Sequence, residues 1–489
     1  MITLSRVVTV KKLIKFVNLL FFMVLIKSIS GVRGIIYEDD TKGLSSQEIK
    51  QCVNKFIDFT ISSVKKDHNQ ITIVVGRDGR LSGQRISTFI ISILINQSIN
   101  VIDLGLTTTP SVQMAIDSEA CSGGIMVSAS HNPGNWNGLK LLNFKGEFLS
   151  KKEGDEVFNH ELSNSCNTIK GTKGSIRYFD YKEKHINSIM NLVDVDLDAI
   201  KKKQFKIVVD GINSSGGVYV PLLLKKMGVC VVELNCQPNG NFAHNPEPTP
   251  ANLQDLSIKV RENHADLGIA VDPDVDRLVI VCEDGSFFGE EYTIVAIAKY
   301  VLSRYKDASV VSNLSTTRGV KDIALKIGAK HFESPVGEIN VVEKMKQTNS
   351  IIGGEGSGGV IFALSHYGRD ALVGIALFLS FLSEKSQSVK QLKLSLPYYH
   401  MLKDKIEISN DVEFNYQQFL NNKINYLKYN NQKFSLIDGL KIYYDCGSWA
   451  HIRTSNTEPL VRIITESINA KKALEIKNQL TNEINNYLK

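Results

Sequence analysis

Apolar positions along the chain fall into short runs that alternate with longer amphipathic stretches. Between about residues 71 and 384, strand-like runs lie at Ile71–Val75, Ile207–Val209, Leu267–Val271 and Val310–Ser312, with stretches of helical length between them. Strands that alternate with helices in this way predict α/β units with mixed or parallel sheets.

Three of these runs lead into similar polar loops, rich in glycine or serine, at residues 76–83, 210–217 and 312–319. A helix-length stretch follows each loop, which predicts a repeated α/β domain, although a strand, a loop and a helix in succession are common in unrelated proteins. After Glu384 the pattern changes. A strand-like run at Gly439–Tyr444 and an amphipathic stretch from about Ala470 predict a smaller α+β domain at the C-terminus.

Composition narrows the class of protein. The 489 residues are 43% hydrophobic and 22% charged, which excludes a disordered, collagen-like or membrane-embedded chain. The net charge of +6 is spread along the chain without a long basic block, so we expect neither nucleic acid nor a membrane as partner. The seven cysteines form no CxxC pair, which indicates reduced thiols and a cytoplasmic location.

The N-terminus carries four basic residues before an apolar run at Phe16–Ile26, a pattern that resembles a signal peptide. No small-x-small cleavage site follows, and the run is too short to span a bilayer comfortably. We favour a third interpretation, in which translation starts at Met23 and the preceding residues are a non-native or flexible extension.

The first loop with candidate chemistry runs from Ser128 to Pro133 and contains Ser130 and His131. Lys140 follows ten residues after Ser130, at the start of a strand-like run, Lys140–Phe144. A serine held at a rigid bend beside a histidine and a lysine could serve as a phosphorylated nucleophile with proton-transfer groups. The alternative is a polar surface turn. Hydrolase chemistry is disfavoured because the chain has no GxSxG elbow here.

The second loop places Asp272, Asp274 and Asp276 directly after an apolar strand, with Arg277 next. Three carboxylates at alternating positions form a hard oxygen site suited to Mg²⁺, and without a cation they repel one another. Arg277 could bind a phosphate as a bidentate donor. The alternative is a solvated acidic turn.

Two further loops are weaker signals. The glycine-rich loop at residues 353–359 offers Glu355 and Ser357 to sugar hydroxyls, or is a plain flexible turn. The loop at residues 453–459 resembles a phosphate-binding nest, or an ordinary turn before a strand. Its candidate ligands are Arg453, Ser455, Asn456 and Thr457.

In this order the four loops, with Ser28–Gly34 upstream, resemble the α-D-phosphohexomutase superfamily, whose members include phosphoglucomutase, phosphomannomutase and phosphoglucosamine mutase. The resemblance implies three related mixed-sheet α/β domains and a smaller C-terminal α+β domain around a central cleft. The expected boundaries are an extension at 1–23 and domains at 24–172, 173–286, 287–394 and 395–489. Candidate linkers lie at Asn164–Ser175, after Asp284-Gly285 and at Lys385–Ser395.

The resemblance also implies roles. Ser130 corresponds to the serine that is phosphorylated, and its phosphate completes a Mg²⁺ shell formed by Asp272, Asp274 and Asp276. Lys140 and His131 correspond to residues that assist proton transfer, and Arg33 and Arg277 to active-site arginines. The sugar-contacting pair is Glu355 and Ser357, and the clamp for the substrate phosphate is Arg453, Ser455, Asn456 and Thr457.

The implied reaction interconverts hexose 1-phosphate and hexose 6-phosphate through a bisphosphorylated sugar, in a monomer or homodimer. The segments 334–338, 353–359 and 366–370 resemble a branch named for glucosamine phosphate, and glucose or mannose phosphate is the alternative. Gly359 departs from the histidine found in many bacterial members. One alternative function is a phosphatase of the haloacid dehalogenase type, but those enzymes have threonine or valine where this chain has Asp276. Another is an inactive homologue that only binds a ligand, and the intact Ser130 argues against it.

Overall fold

The computed structural model describes residues 25–28, 31–159, 173–385, 387–408, 415–445, 447–454 and 460–488. The predicted extension up to residue 23 lies outside these ranges. Among the described residues, no helix is long and apolar enough to cross a membrane.

The first sheet has seven strands in the order β1-β2-β6-β5-β3-β4-β7. Its strands are β1 (Leu25–Ser28), β2 (Gly31–Ile35), β3 (Thr72–Arg77), β4 (Asn100–Leu106), β5 (Gly123–Val127), β6 (Trp136–Leu142) and β7 (Ile176–Tyr178). The helices are α1 (Ser46–Val64), α2 (Gly83–Asn96), α3 (Thr109–Ser118) and α4 (Lys151–Asn159). The central strands β3, β4 and β5 are parallel, whereas β6 runs antiparallel to β5.

The second sheet has four strands in the order β11-β10-β8-β9. They are β8 (Lys206–Asp210), β9 (Cys230–Leu234), β10 (Leu267–Val271) and β11 (Leu278–Cys282). The helices of this part are α5 (Lys182–Met190), α6 (Leu197–Lys203), α7 (Gly216–Lys226) and α8 (Gln254–Glu262). All five residues of β10 are buried, as expected for a strand with a parallel neighbour and covered faces.

The third sheet repeats the second, in the order β13-β12-β14-β15. Its strands are β12 (Ser309–Asn313), β13 (Lys330–Ser334), β14 (Ile352–Glu355) and β15 (Gly359–Phe362). The helices are α9 (Glu290–Leu302), α10 (Gly319–Ile327), α11 (Glu338–Thr348), α12 (Ala371–Glu384) and α13 (Val389–Leu394). One continuous apolar cluster joins this part to the second, because α12 packs its buried side chains against both.

The last sheet is fully antiparallel, in the order β16-β20-β19-β18-β17. It contains β16 (His400–Glu407), β17 (Phe434–Ser435), β18 (Leu440–Tyr443), β19 (Trp449–Thr454) and β20 (Leu460–Ser467), with helices α14 (Tyr416–Tyr429) and α15 (Ala470–Asn485). The predicted fold class, three related α/β domains and a smaller α+β domain, is confirmed.

The repeat has a consequence for the site. In the first three sheets a central strand pairs in parallel with the strand before an antiparallel hairpin: β3 with β5, β8 with β10 and β12 with β14. The hairpin turns are therefore equivalent in the three domains, and they hold Ser130, the three aspartates and the Glu355 loop respectively.

Two details differ from the predictions. A strand was expected over Lys140–Phe144, but β6 begins at Trp136 because its first residues pair with β2, where Gly138 leaves room for the carbonyls of Val32 and Ser128. The predicted linker at Lys385–Ser395 contains α13, capped by Ser388. Strand β7, which follows the expected boundary after residue 172, pairs in parallel with β4 of the first sheet.

Candidate active site

Ser130 lies in the turn between β5 and β6 and is 2% exposed. Its backbone adopts the left-handed conformation, with φ of 50°, which is uncommon for a residue other than glycine and typical of constrained functional turns. The Ser130 hydroxyl donates to Asp272 Oδ2 at 2.7 Å, and its Oγ lies 3.4 Å from Nδ1 of His131. Two of the four predicted loops thus meet at this hydroxyl.

The aspartates lie in the equivalent turn between β10 and β11, and all three are buried. Asp272 Oδ1 accepts from the backbone of Asp276 and Arg277, whereas Asp274 Oδ2 accepts from Thr109 and Lys140. Among the described residues, Oδ1 of Asp274 and Oδ1 of Asp276 have no hydrogen-bond donor.

Carboxylate oxygens without a donor are available to bind a metal ion at the aspartate cluster. One carboxylate oxygen from each aspartate lies within 4.8 Å of the others, so three hard oxygen ligands converge on one point. Burial, and then the carboxylates of Asp276 and Asp274, raise the pKa of Asp272 well above its ordinary value. A bound cation would remove this repulsion, so the aspartate cluster can hold a metal ion.

Lys140 closes one side of the aspartate cluster from the middle of β6. Its ammonium donates to Asp274 and, at 3.1 Å, to Asp276 Oδ2. Burial alone would lower the pKa of Lys140, but Asp274 and Asp276 raise it above its ordinary value. Lys140 is therefore a charged donor here.

Thr109 is a contact of the aspartate cluster that the sequence did not predict. It begins α3, and both its hydroxyl and its backbone N–H donate to Asp274. Its only sequence signal is the polar start of a helix, which caps many helices without any catalytic role.

Arg33 and Arg277 supply positive charge near His131 and the aspartates. Burial lowers the pKa of Arg33, opposed by Asp274 and Asp276. Arg277 Nε has no hydrogen-bond acceptor among the described residues and lies 3.9 Å from Asp276 Oδ1. The charge of Arg277, together with burial and Arg33, lowers the pKa of His131 well below its ordinary value. His131 is accordingly neutral.

Glu355 lies at the end of β14, in the third equivalent turn, with Ser357 two residues on. Its Oε1 accepts from Asn313 Nδ2 at 2.8 Å and from the Gly337 N–H at 3.0 Å, and its Oε2 accepts from Arg369 at 2.7 Å. Arg369 also donates to Asp276 Oδ2 at 2.7 Å. In the sequence, Arg369 falls in the segment 366–370 that marks a branch of the family, and no motif there indicates this bridge between the second and third turns.

Arg453 is the penultimate residue of β19, beside the fourth predicted loop. Its guanidinium pairs with Asp438 Oδ2 at 3.3 Å, and the same oxygen accepts from the Val336 N–H at 3.0 Å. Ser455, Asn456 and Thr457 lie outside the described residues.

Four domain profiles match the chain in sequence order: phosphoglucomutase/phosphomannomutase alpha/beta/alpha domain I at residues 28–165, domain II at 183–285, domain III at 289–398 and the C-terminal domain at 417–483. The chain belongs to the phosphoglucomutase/phosphomannomutase family. It is accordingly a phosphohexomutase, an isomerase that moves a phosphoryl group within a sugar phosphate.

Individual relatives agree with this class. A phosphoglucomutase/phosphomannomutase of Thermococcus kodakarensis is 34% identical over 448 residues, which cover 91% of this chain and 95% of the relative. A phosphoglucosamine/phosphogalactosamine mutase of Sulfurisphaera tokodaii is 28% identical, covering 93% and 97%. A crystal structure of a phosphoglucomutase/phosphomannomutase family protein from Burkholderia thailandensis has the same fold, with a TM-score of 0.79 at 24% identity over 95% of this chain and 96% of that one.

Proposed function

We propose that the chain interconverts hexose 1-phosphate and hexose 6-phosphate, with Ser130 Oγ carrying the phosphoryl group between them. The observation that carries the proposal is the position of the Ser130 hydroxyl, which is buried on a residue with left-handed backbone and lies 2.7 Å from Asp272 Oδ2. In the same aspartate cluster, Asp274 and Asp276 each have one carboxylate oxygen without a donor among the described residues. A serine that only closed a surface turn would need neither burial nor this acidic partner.

In the proposed reaction the phosphorylated serine transfers its phosphoryl group to the free hydroxyl of a hexose phosphate. The bond from phosphorus to Ser130 Oγ breaks, a bond to the sugar oxygen forms, and a bisphosphorylated sugar results. After the sugar has turned over, its other phosphate returns to Ser130. Neutral His131, 3.4 Å from Oγ, is suited to accept the proton of the attacking hydroxyl and to pass it to the leaving Ser130 Oγ.

The charged groups around Ser130 have separate tasks in this proposal. Arg277, whose Nε lacks an acceptor among the described residues, and Arg33 hold the transferring phosphoryl group. Lys140 stays protonated and donates hydrogen bonds, because its pKa is raised. Asp272, Asp274 and Asp276 would hold Mg²⁺, which when bound neutralises charge on the phosphoryl oxygens.

The sugar is positioned by the other two loops. Glu355 and Ser357 are proposed to contact the sugar hydroxyls, and Arg453 with Ser455, Asn456 and Thr457 to hold the phosphate that is not being transferred. We propose glucosamine phosphate as the preferred sugar, supported by the name of the Sulfurisphaera tokodaii relative. The more similar Thermococcus kodakarensis protein favours glucose and mannose phosphates as the alternative.

The test is a Ser130→Ala variant beside Ser62→Ala, which removes an exposed hydroxyl on α1. Ser130→Ala should fold normally, lose nearly all mutase activity and show no phosphate by intact-mass measurement, whereas wild type and Ser62→Ala should be active and phosphorylated. Full activity of Ser130→Ala would overturn the nucleophile assignment.

The sugar is tested separately by a coupled assay that compares kcat/KM for glucosamine, glucose and mannose 6-phosphates. Glucosamine 6-phosphate should give the highest value. A higher value for glucose or mannose phosphate would overturn the choice of sugar and leave the reaction class intact.

A further inference from the structure

Arg80, in the loop between β3 and α2, has a side chain with no exposed surface. Its guanidinium donates to four backbone carbonyls of the Ser130 turn at 2.5 to 2.9 Å, those of Ser130, Asn132, Pro133 and Trp136. The fifth donor, Nε, lies 3.1 Å from Asp78 Oδ2. All five N–H groups of the arginine are therefore used, four of them on the turn that carries the proposed nucleophile.

A second chain of contacts reaches Ser130 from the same place. Asp78 Oδ2 accepts from the Ser128 hydroxyl at 2.7 Å, and Ser128 Oγ accepts from the Ser130 N–H at 2.9 Å. Asp78 and Arg80 thus fix the backbone on both sides of Ser130 Cα. A left-handed serine is an unfavourable conformation that persists only where its surroundings hold it.

The internal repeat supports the same interpretation. The loops at 76–83, 210–217 and 312–319 follow the equivalent strands β3, β8 and β12. In the second domain Ser214 Oγ donates to the carbonyl of Pro273 in the aspartate turn, and in the third Thr316 Oγ1 accepts from the Gly356 N–H beside Glu355. In each domain the first loop binds the backbone of the hairpin turn, and the first domain uses a buried arginine for it.

We propose that Arg80 is a positioning residue for phosphoryl transfer, which sets the position of Ser130 Oγ by clamping the carbonyls of its turn. The inference rests on the proposed role of Ser130. No contact of the described residues joins Arg80 to the aspartate cluster between β10 and β11 or to the Glu355 loop. Its loss should therefore displace the nucleophile and leave substrate binding in place.

The structure offers a rescue experiment. A cavity of about 450 Å³ lies beside the turn and is lined by Leu81, Pro133 and Phe242, and the ring of Phe242 is 5.1 Å from Arg80 Cζ. Phe242 thus separates the cavity from the Arg80 side chain, and we expect free guanidinium to enter from this cavity the space that an Arg80→Ala variant opens. Urea has a similar shape without the charge and serves as the matched additive.

Arg80→Ala should lower kcat about a hundredfold, the scale expected for a nucleophile displaced by about 1 Å, and should leave KM nearly unchanged. Millimolar guanidinium chloride should restore kcat at least about tenfold in this variant, whereas urea should not, and wild type should not respond. Arg304→Ala, which removes an arginine paired with Asp194 and Glu384 away from the site, is the control and should keep its kcat.

Arg80→Lys keeps the charge and the stem but has only three donors, so it should fold and still lose about tenfold in kcat. The inference is overturned if either Arg80 variant keeps wild-type kcat. It is also overturned if Arg80→Ala has a wild-type Tm and guanidinium does not restore its kcat. If Arg80→Ala does not fold, Arg80→Lys decides. An active Ser130→Ala variant would instead show that the proposed function has failed.

Discussion

The guanidinium of Arg369 lies between carboxylates that belong to two different hairpin turns. It donates to Asp276 in the turn between β10 and β11 and to Glu355 in the turn between β14 and β15. Its Nε is 3.0 Å from Glu338 Oε2. Burial would lower the pKa of Arg369, but Asp276, Glu338 and Glu355 raise it well above its ordinary value. One cation, whose side chain is 11% exposed, therefore holds candidate metal and sugar ligands in a fixed relation.

Gly359 is needed for this arrangement, because a Cβ at this position would lie 2.4 Å from Arg369 Cδ. Gly359→Ala should displace Arg369 and lower kcat/KM about tenfold or more, as expected for the loss of a residue that orients a metal ligand. Gly319→Ala is the control, since a Cβ there would have ordinary contacts, the nearest at 3.4 Å. Equal activity of the two variants would contradict the role given to Arg369.

At the scale of elements, the alternating pattern predicted the central strands to within a few residues. The extent of β6 was missed because pairing with β2, a contact distant in sequence, starts it at Trp136. The equivalence of the three hairpin turns was invisible in the sequence, because backbone pairing creates it and the three turns share no motif. Arg80 was missed for a similar reason: its partners are backbone carbonyls, which carry no sequence signature.

The aspartates in the turn between β10 and β11 predict that activity depends on a divalent metal ion. Chelation with EDTA should abolish activity, and Mg²⁺ should restore it, because three buried carboxylates repel one another without a cation. Asp274→Asn should weaken Mg²⁺ binding at least about tenfold in calorimetry, since it removes one anionic ligand.

Asp284→Asn provides the comparison for this experiment. Asp284 is an exposed aspartate that lies just beyond β11 and pairs with Lys390. Its replacement should not change metal affinity. A rate that is unaffected by chelation would rule out the metal site.

At the scale of the whole molecule, the fourth domain is joined to the third by polar contacts. Ser315 and His451 share a hydrogen bond of 2.9 Å, and Lys441 donates to Glu333 at 3.0 Å. Burial would raise the pKa of Glu333, but Lys441 holds it below its ordinary value. These contacts can break and re-form at lower cost than an apolar core, which suits a domain that closes over a substrate.

Arg453→Ala tests the contribution of this domain. Arg453 is proposed to hold the phosphate that is not transferred, so its contact is the same in the ground and transition states. A charge-assisted pair contributes about 1.5–3 kcal/mol, so KM should rise about ten- to a hundredfold with little loss of kcat. Lys472→Ala, an exposed change on α15, should leave both constants unchanged. An unchanged KM with a collapsed kcat would move Arg453 to the reacting centre.

The central claim is that the phosphoryl group passes through Ser130. The most direct measurement is to incubate the enzyme with a hexose bisphosphate carrying labelled phosphate, digest it, and identify the labelled residue by mass spectrometry. Label on Ser130 that is discharged by adding unlabelled hexose 6-phosphate is the predicted result. Label on Asp272, or on neither residue while turnover continues, would contradict it.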